Sequence, residues 1–254
     1  MKELNLKREN VLGIDVCDVT PEKGVALSLE TMHGTELNTV FFLSVVSSIY
    51  CQETPRAAEL INSLELVFPG DRHTELAAAQ KALVGENEFG QFAEEYMNRL
   101  FTRLNREHRE VFAVTVSLER LKSLADYMDK MYPDITFSGM VYDKEAEGAG
   151  EKLVNEINGH TPDALLLLLP PAAQLMLLGD YGTMMNAGLC ICIESLSPMI
   201  LEEIRPVPAW IRALHLESLY YWMHKEQKLQ SRINGTRFKK RITEDALSEG
   251  GPDK

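Results

Sequence analysis

Nothing in this sequence is long and apolar enough to cross a bilayer. A spanning helix needs roughly 18 to 20 apolar residues without interruption, and the nearest stretch, Ala164 to Leu178, is broken by Pro170 and Pro171. Metal ligands in a recognisable array are missing too. Cys17, Cys51, Cys190 and Cys192 form no CxxC and have no histidine at ligand spacing, so neither a zinc site nor a disulfide framework is indicated. Cys190 and Cys192 alternate in an apolar run, which places both on one face of a buried strand. There is no DxD to hold a metal-bound nucleotide sugar, no P-loop and no GxSxG. Gly148-Ala149-Gly150 starts like a dinucleotide fingerprint, but Leu153 stands at the third glycine position and no strand leads directly into it. No cofactor is implied. Met1 to Asn10 is charged and lacks the apolar core of an export signal, so the expected compartment is the cytoplasm.

What is present is a globular composition with segregated charge. The net charge is -12, yet the segment from Arg205 to Arg241 carries nine basic residues against Glu217 and Glu226. A basic appendage on an acidic body suits a polyanion such as a membrane surface or a diphosphate; an ordinary solvated helix face is the plainer alternative. The acidic body opposes nucleic acid as a partner.

Along the chain, apolar runs of strand length alternate with stretches of helical period, the pattern of a mostly parallel sheet covered by helices. Asn10 to Val19 and Thr39 to Val46 read as strands, with a helix from Pro21 to Met32 between them, capped by Thr20. A short helix follows Thr54 and Pro55. The apolar run Leu64 to Phe68 then ends at Pro69-Gly70, so Asp71 to Glu75 lies at a strand end. Helices are expected over Thr74 to Leu83 and Phe89 to Asn105. A βαβαβαβ series comes next: strands at Val111 to Val116, Ile135 to Gly139, Ala164 to Leu169 and Leu189 to Ile193, and helices at Leu118 to Met131, Glu145 to Asn158 and Ala172 to Asn186. Those four strands should be neighbours in a doubly wound, Rossmann-like α/β sheet.

From Pro206 the texture changes to a helical, aromatic, basic segment that holds Trp210, Tyr220, Tyr221 and Trp222. The domain reading is therefore an α/β body over 1–205, a basic helical appendage over 206–241, and a polar, disordered tail over 242–254.

Several strings carry a resemblance. Asn10 to Val16 with Thr20 opening the next helix, Met131-Tyr132-Pro133 before a strand, Pro162-Asp163 before an apolar run, and Pro208 to Tyr220 with Trp210, Leu216, Glu217 and Tyr220 at fixed spacing are similar to the WecG/TagA/CpsF glycosyltransferase family. The resemblance covers the chain from Asn10 to about Arg241. It implies transfer of an N-acetylhexosamine, commonly N-acetylmannosamine, from a UDP-sugar to a polyprenyl-diphosphate-linked acceptor in cell-surface polysaccharide synthesis, without an essential metal. It also implies peripheral attachment to the inner face of the cell membrane, and leaves homo- and hetero-oligomers equally open.

The same resemblance assigns site residues and exposes departures. The family's Pro-Asp-Gly at a strand end is Pro69-Gly70-Asp71 here, so Asp71 is the candidate catalytic base, with helix capping ahead of Thr74 as its structural alternative and His73 and Glu75 as substitutes. The family's Thr-x-Asn falls on Phe42 and Ser44. Its glycine-rich nucleotide turns become Thr115 to Leu118, Pro170 to Leu175 and Cys192 to Pro198. Of these, Gln174, Glu194 and Ser195 stand where substrate is bound, and Arg212 is the appendage arginine best placed for the acceptor diphosphate. Proline offers no N–H and Glu194 repels phosphate, so the resemblance also admits a catalytically silent paralogue that serves as a binding or scaffold subunit.

Overall fold

The computed structural model describes residues 6–32, 37–81, 83, 90–196 and 228–249. The chain opens with a hairpin of β1 (Arg8–Val11) and β2 (Ile14–Cys17), paired antiparallel. Its turn places Leu12 at φ 53° and Gly13 at φ 84°, the left-handed pair that a two-residue hairpin requires. A single strand over Asn10 to Val19 is thereby corrected: the apolar alternation runs straight through the turn, and leucine at its first position hides it. Helix α1 (Pro21–Thr31) follows, with Thr20 Oγ1 accepting the Lys23 N–H as expected.

The remaining strands form one parallel sheet. They are β3 (Asn38–Leu43), β4 (Leu66–Pro69), β5 (Glu110–Thr115), β6 (Thr136–Val141), β7 (Ala164–Leu168) and β8 (Leu189–Cys192), in the spatial order β4-β3-β8-β7-β5-β6. The last four in sequence are contiguous in space, as the βα alternation implies. The helices are α2 (Val45–Glu53), α3 (Pro55–Asn62), α4 (Arg72–Ala78), α5 (Gln91–Arg106), α6 (Leu118–Met131), α7 (Ala149–His160), α8 (Pro171–Tyr181) and, at the end, α9 (Lys228–Glu249).

Two apolar layers sandwich the sheet. On one face α1, α5 and α6 pack through residues such as Val25, Tyr96, Phe101 and Tyr127. On the other, α2, α3, α7, α8 and the hairpin contribute Val45, Ile61, Leu153, Leu175 and Ile14. All four cysteines are reduced and buried, with Cys190 and Cys192 on the same face. Each large side chain removed from water in this way contributes about 1.5–3 kcal/mol.

Three further departures from the sequence reading have local causes. The strand expected to run to Val46 ends at Leu43, because Ser44 and Ser47 make a reciprocal capping box that turns Val45-Val46 into the start of α2. Helix α7 begins at Ala149 rather than Glu145, after Gly148 adopts φ 66°. The C-terminal helix continues through Glu249, so the tail expected to be disordered from 242 is helical as far as that residue. Its anchor is Phe238, fully buried in the second layer, with Ile242 packed against the same layer. Among the described residues, no helix is long and apolar enough to cross a membrane.

Candidate functional site

The carboxyl ends of the strands converge on a small set of polar groups. Helices leave the neighbouring strands β5 and β7 toward opposite faces, α6 on one and α8 on the other, the kind of switch point at which doubly wound sheets bind ligands. Next to β7, β8 delivers Glu194, and beside it β3 delivers Ser44.

Asp71 sits at the end of β4. Gly70 makes the approach possible: its N–H donates to Leu43 O at 2.7 Å, and a Cβ there would lie 3.1 Å from both Leu43 O and Phe42 O. The chain then turns into α4 with Asp71 as N-cap. Thr74 N donates to Asp71 Oδ1 at 3.0 Å, while Val45 N, the first amide of α2, donates to Oδ2 at 2.7 Å. Both carboxylate oxygens are thus engaged by backbone, and the residue is only 8% exposed. The side chain staples two helix starts together and places its negative charge at their positive ends.

Glu194 is held differently. Among the described residues one hydrogen bond reaches its carboxylate, from Ser44 Oγ to Oε1. Burial pushes its pKa up to about 7, the charge of Asp71 adds to the rise, and the Ser44 hydrogen bond opposes it. The result is a carboxyl group poised to exchange a proton near neutrality, within the field of a second, capped carboxylate. Glu75 is also raised, by burial above all, and accepts the Phe92 N–H. His73 is buried and packs its ring 6.4 Å from that of Phe238 on α9.

The other expected site residues scatter in role. Gln174 is buried and its Nε2 donates to Leu167 O at 2.8 Å, a carbonyl that also accepts Ile193 N at 3.3 Å. It therefore braces the ends of β7 and β8. Ser195 is partly buried beside Glu194. Phe42 lies in the first apolar layer, its ring 5.1 Å from Tyr96 in an edge-on arrangement and 6.0 Å from Phe68. Arg212 and the tryptophans fall outside the described residues.

The helix starts at this end of the sheet are already answered by the chain itself. At α2, Ser47 N donates to Ser44 Oγ at 3.0 Å and Val45 N to Asp71. At α6, Arg120 N donates to Ser117 Oγ at 3.3 Å. At α8, the N-cap is Pro170 and the first helical residue Pro171, neither with an N–H, and Ala173 N turns back onto Pro170 O at 2.9 Å. Phosphate is held at helix starts by bare amides, and these starts present few of them.

Sequence reasoning missed Ser44 as the partner of Glu194 and Val45 as the partner of Asp71. The Ser44-x-x-Ser47 spacing signals only the helix cap; no local pattern announces either contact, and the two join positions 150 and 26 residues apart in sequence.

A parallel sheet wrapped by helices, with two carboxylates at its carboxyl end, defines an α/β protein of the doubly wound class. The chain matches the model of the glycosyl transferase WecG/TagA/CpsF family over residues 9–248 and belongs to that family. Among curated proteins, none matches it.

Proposed function

We propose that this chain transfers an N-acetylhexosamine from a UDP-sugar to a polyprenyl-diphosphate-linked acceptor in cell-surface polysaccharide synthesis, through a donor site weakened by the capped and proline-blocked turns. Family membership supports the reaction class. The observation that carries the reading is the meeting of Asp71 and Glu194 around the start of α2, with one carboxyl group raised to about 7. Inverting sugar transfer needs a carboxylate that accepts a proton from the attacking hydroxyl near neutral pH, and a carboxyl group raised by burial and a neighbouring charge marks such sites. The basic segment over 206–241 would hold the acceptor's diphosphate at an anionic membrane surface, with Arg212 as its proposed contact.

A second reading rests on the capped helix starts. With Ser44, Asp71, Ser117 and the prolines occupying the places where a diphosphate is held, the fold would serve as a catalytically silent binding or scaffold subunit. Incubation of the full chain with radiolabelled UDP-N-acetylmannosamine and a synthetic polyprenyl-diphosphate-linked N-acetylhexosamine separates the two. Label appearing in the lipid phase is the expected result; its absence, repeated with UDP-N-acetylglucosamine, leaves the silent subunit.

A further inference from the structure

We infer that Glu194, rather than Asp71, is the group that removes the proton from the attacking hydroxyl, with Ser44 as its positioning residue. The inference rests on the transferase reading above. Three structural observations lead to it. First, Asp71 has both oxygens committed to backbone amides at 2.7 and 3.0 Å. Taking up a substrate proton there would mean displacing one of these bonds, and removing either would undo a helix cap. Second, Glu194 receives one hydrogen bond from the described residues, on Oε1, which leaves Oε2 without a donor among them. Third, Glu194 follows β8, with β3 and β7 as its neighbours in the middle of the sheet, whereas Asp71 follows the edge strand β4 beneath Gly90, where a Cβ would come within 3.1 Å of Asp71 Cα. Glu194 thus stands at the end of a central strand, and Asp71 at the end of an edge strand closed by the backbone of Gly90.

The elevated proton affinity of Glu194 agrees with this placement. Among the described residues, Asp71 is the charged group that acts on it, and Ser44 is the neutral donor that counters the rise. In the step, the acceptor oxygen forms a bond to the anomeric carbon of the donor. The bond from that carbon to the β-phosphate oxygen breaks, the electron pair leaves with UDP, and the hydroxyl proton moves to Glu194 Oε2. No oxidant or metal is needed for the balance.

The test is the pH dependence of UDP release by the full chain and its variants, with UDP-N-acetylmannosamine and the synthetic lipid acceptor. In the wild type kcat should rise with pH along an acid limb centred near 7. Glu194→Gln should lower kcat by about 100-fold or more at little change in KM and abolish the limb. Asp71→Asn, which removes the neighbouring negative charge, should keep the limb and move it to lower pH. Ser44→Ala should move it to higher pH. Circular dichroism establishes that each variant is folded; Glu194→Gln preserves shape and carries the decision if Asp71→Asn does not fold. Retention of wild-type kcat by Glu194→Gln overturns the assignment while leaving the transferase reading intact. Absence of turnover by the wild type, with both UDP-sugars, overturns both.

Discussion

The Oδ2 atom of Asp71 accepts the backbone N–H of Val45 at 2.7 Å, so the residue that ends β4 also caps the helix that follows β3. With Thr74 N on Oδ1 at 3.0 Å, one side chain closes two helix starts. Asp71→Ala should therefore cost about 1–3 kcal/mol of stability, the sum of two partly buried caps. Urea unfolding followed by circular dichroism measures it. A loss under about 0.5 kcal/mol, the range of ordinary surface changes, would mean that the staple contributes little.

Stability should also fall as pH rises through the neutral range. The folded-state pKa of Glu194 lies near 7, above its ordinary carboxylate value of 4.5. Between those values the folded protein binds the proton and the unfolded chain does not, so the contribution is complete below about 4.5 and is lost as pH climbs through 7. Glu75, raised by burial, acts in the same direction. Glu194→Gln should flatten the slope between pH 5 and about 7.5. Melting temperatures of the two proteins across that window check it; parallel slopes would place the titration elsewhere.

Phe238 fastens α9 to the body. It is fully buried, lies with its ring tilted against that of His73, and is followed by Arg241, which bonds Gln52 and pairs with Glu53 at 3.4 Å on α2. Phe238→Ala should cost about 3–5 kcal/mol and release the helix. Limited proteolysis should then cut between α9 and the body at a rate well above that of the wild type. Equal rates would show that other contacts hold the helix.

Because Phe238 belongs to the core, truncation of the basic segment would damage the body, and charge reversal is the cleaner probe of membrane attachment. Arg237 is exposed and Lys240 retains 76% of its side-chain surface despite Glu244 at 3.6 Å. Each basic residue near an anionic surface contributes about 1 kcal/mol. Arg237→Glu with Lys240→Glu should reduce flotation with phosphatidylglycerol vesicles at least tenfold, and 0.5 M salt should do the same to the wild type. Unchanged flotation would sink the proposed attachment through this helix.

The sheet was legible because parallel strands buried on both faces are continuous apolar runs, as in Leu165 to Leu169, and because Ser117, Thr20 and Pro21 announce helix starts. The hairpin was not, since Leu12 in a left-handed turn breaks no apolar pattern. Half of the candidate site was legible for a similar reason. Asp71 could be named from its turn, and its capping role from Thr74 three residues on. Its second bond to Val45, and the bond from Ser44 to Glu194, join β3 to β4 and β8, a pairing that only the strand order fixes. Gln174 is named through the family resemblance, as the one residue kept from a nucleotide turn; that its Nε2 donates to Leu167 O, bracing two strand ends, follows from the fold and not from the motif.

The direct test of a donor site that survives in weakened form is a calorimetric titration of the full chain with UDP. With capped amides and prolines at the helix starts, the expected result is a saturable heat with Kd on the order of 0.1–1 mM, or about 4–5.5 kcal/mol of binding. No heat at millimolar UDP would contradict the transferase account; submicromolar binding would contradict the claim that the turns are closed.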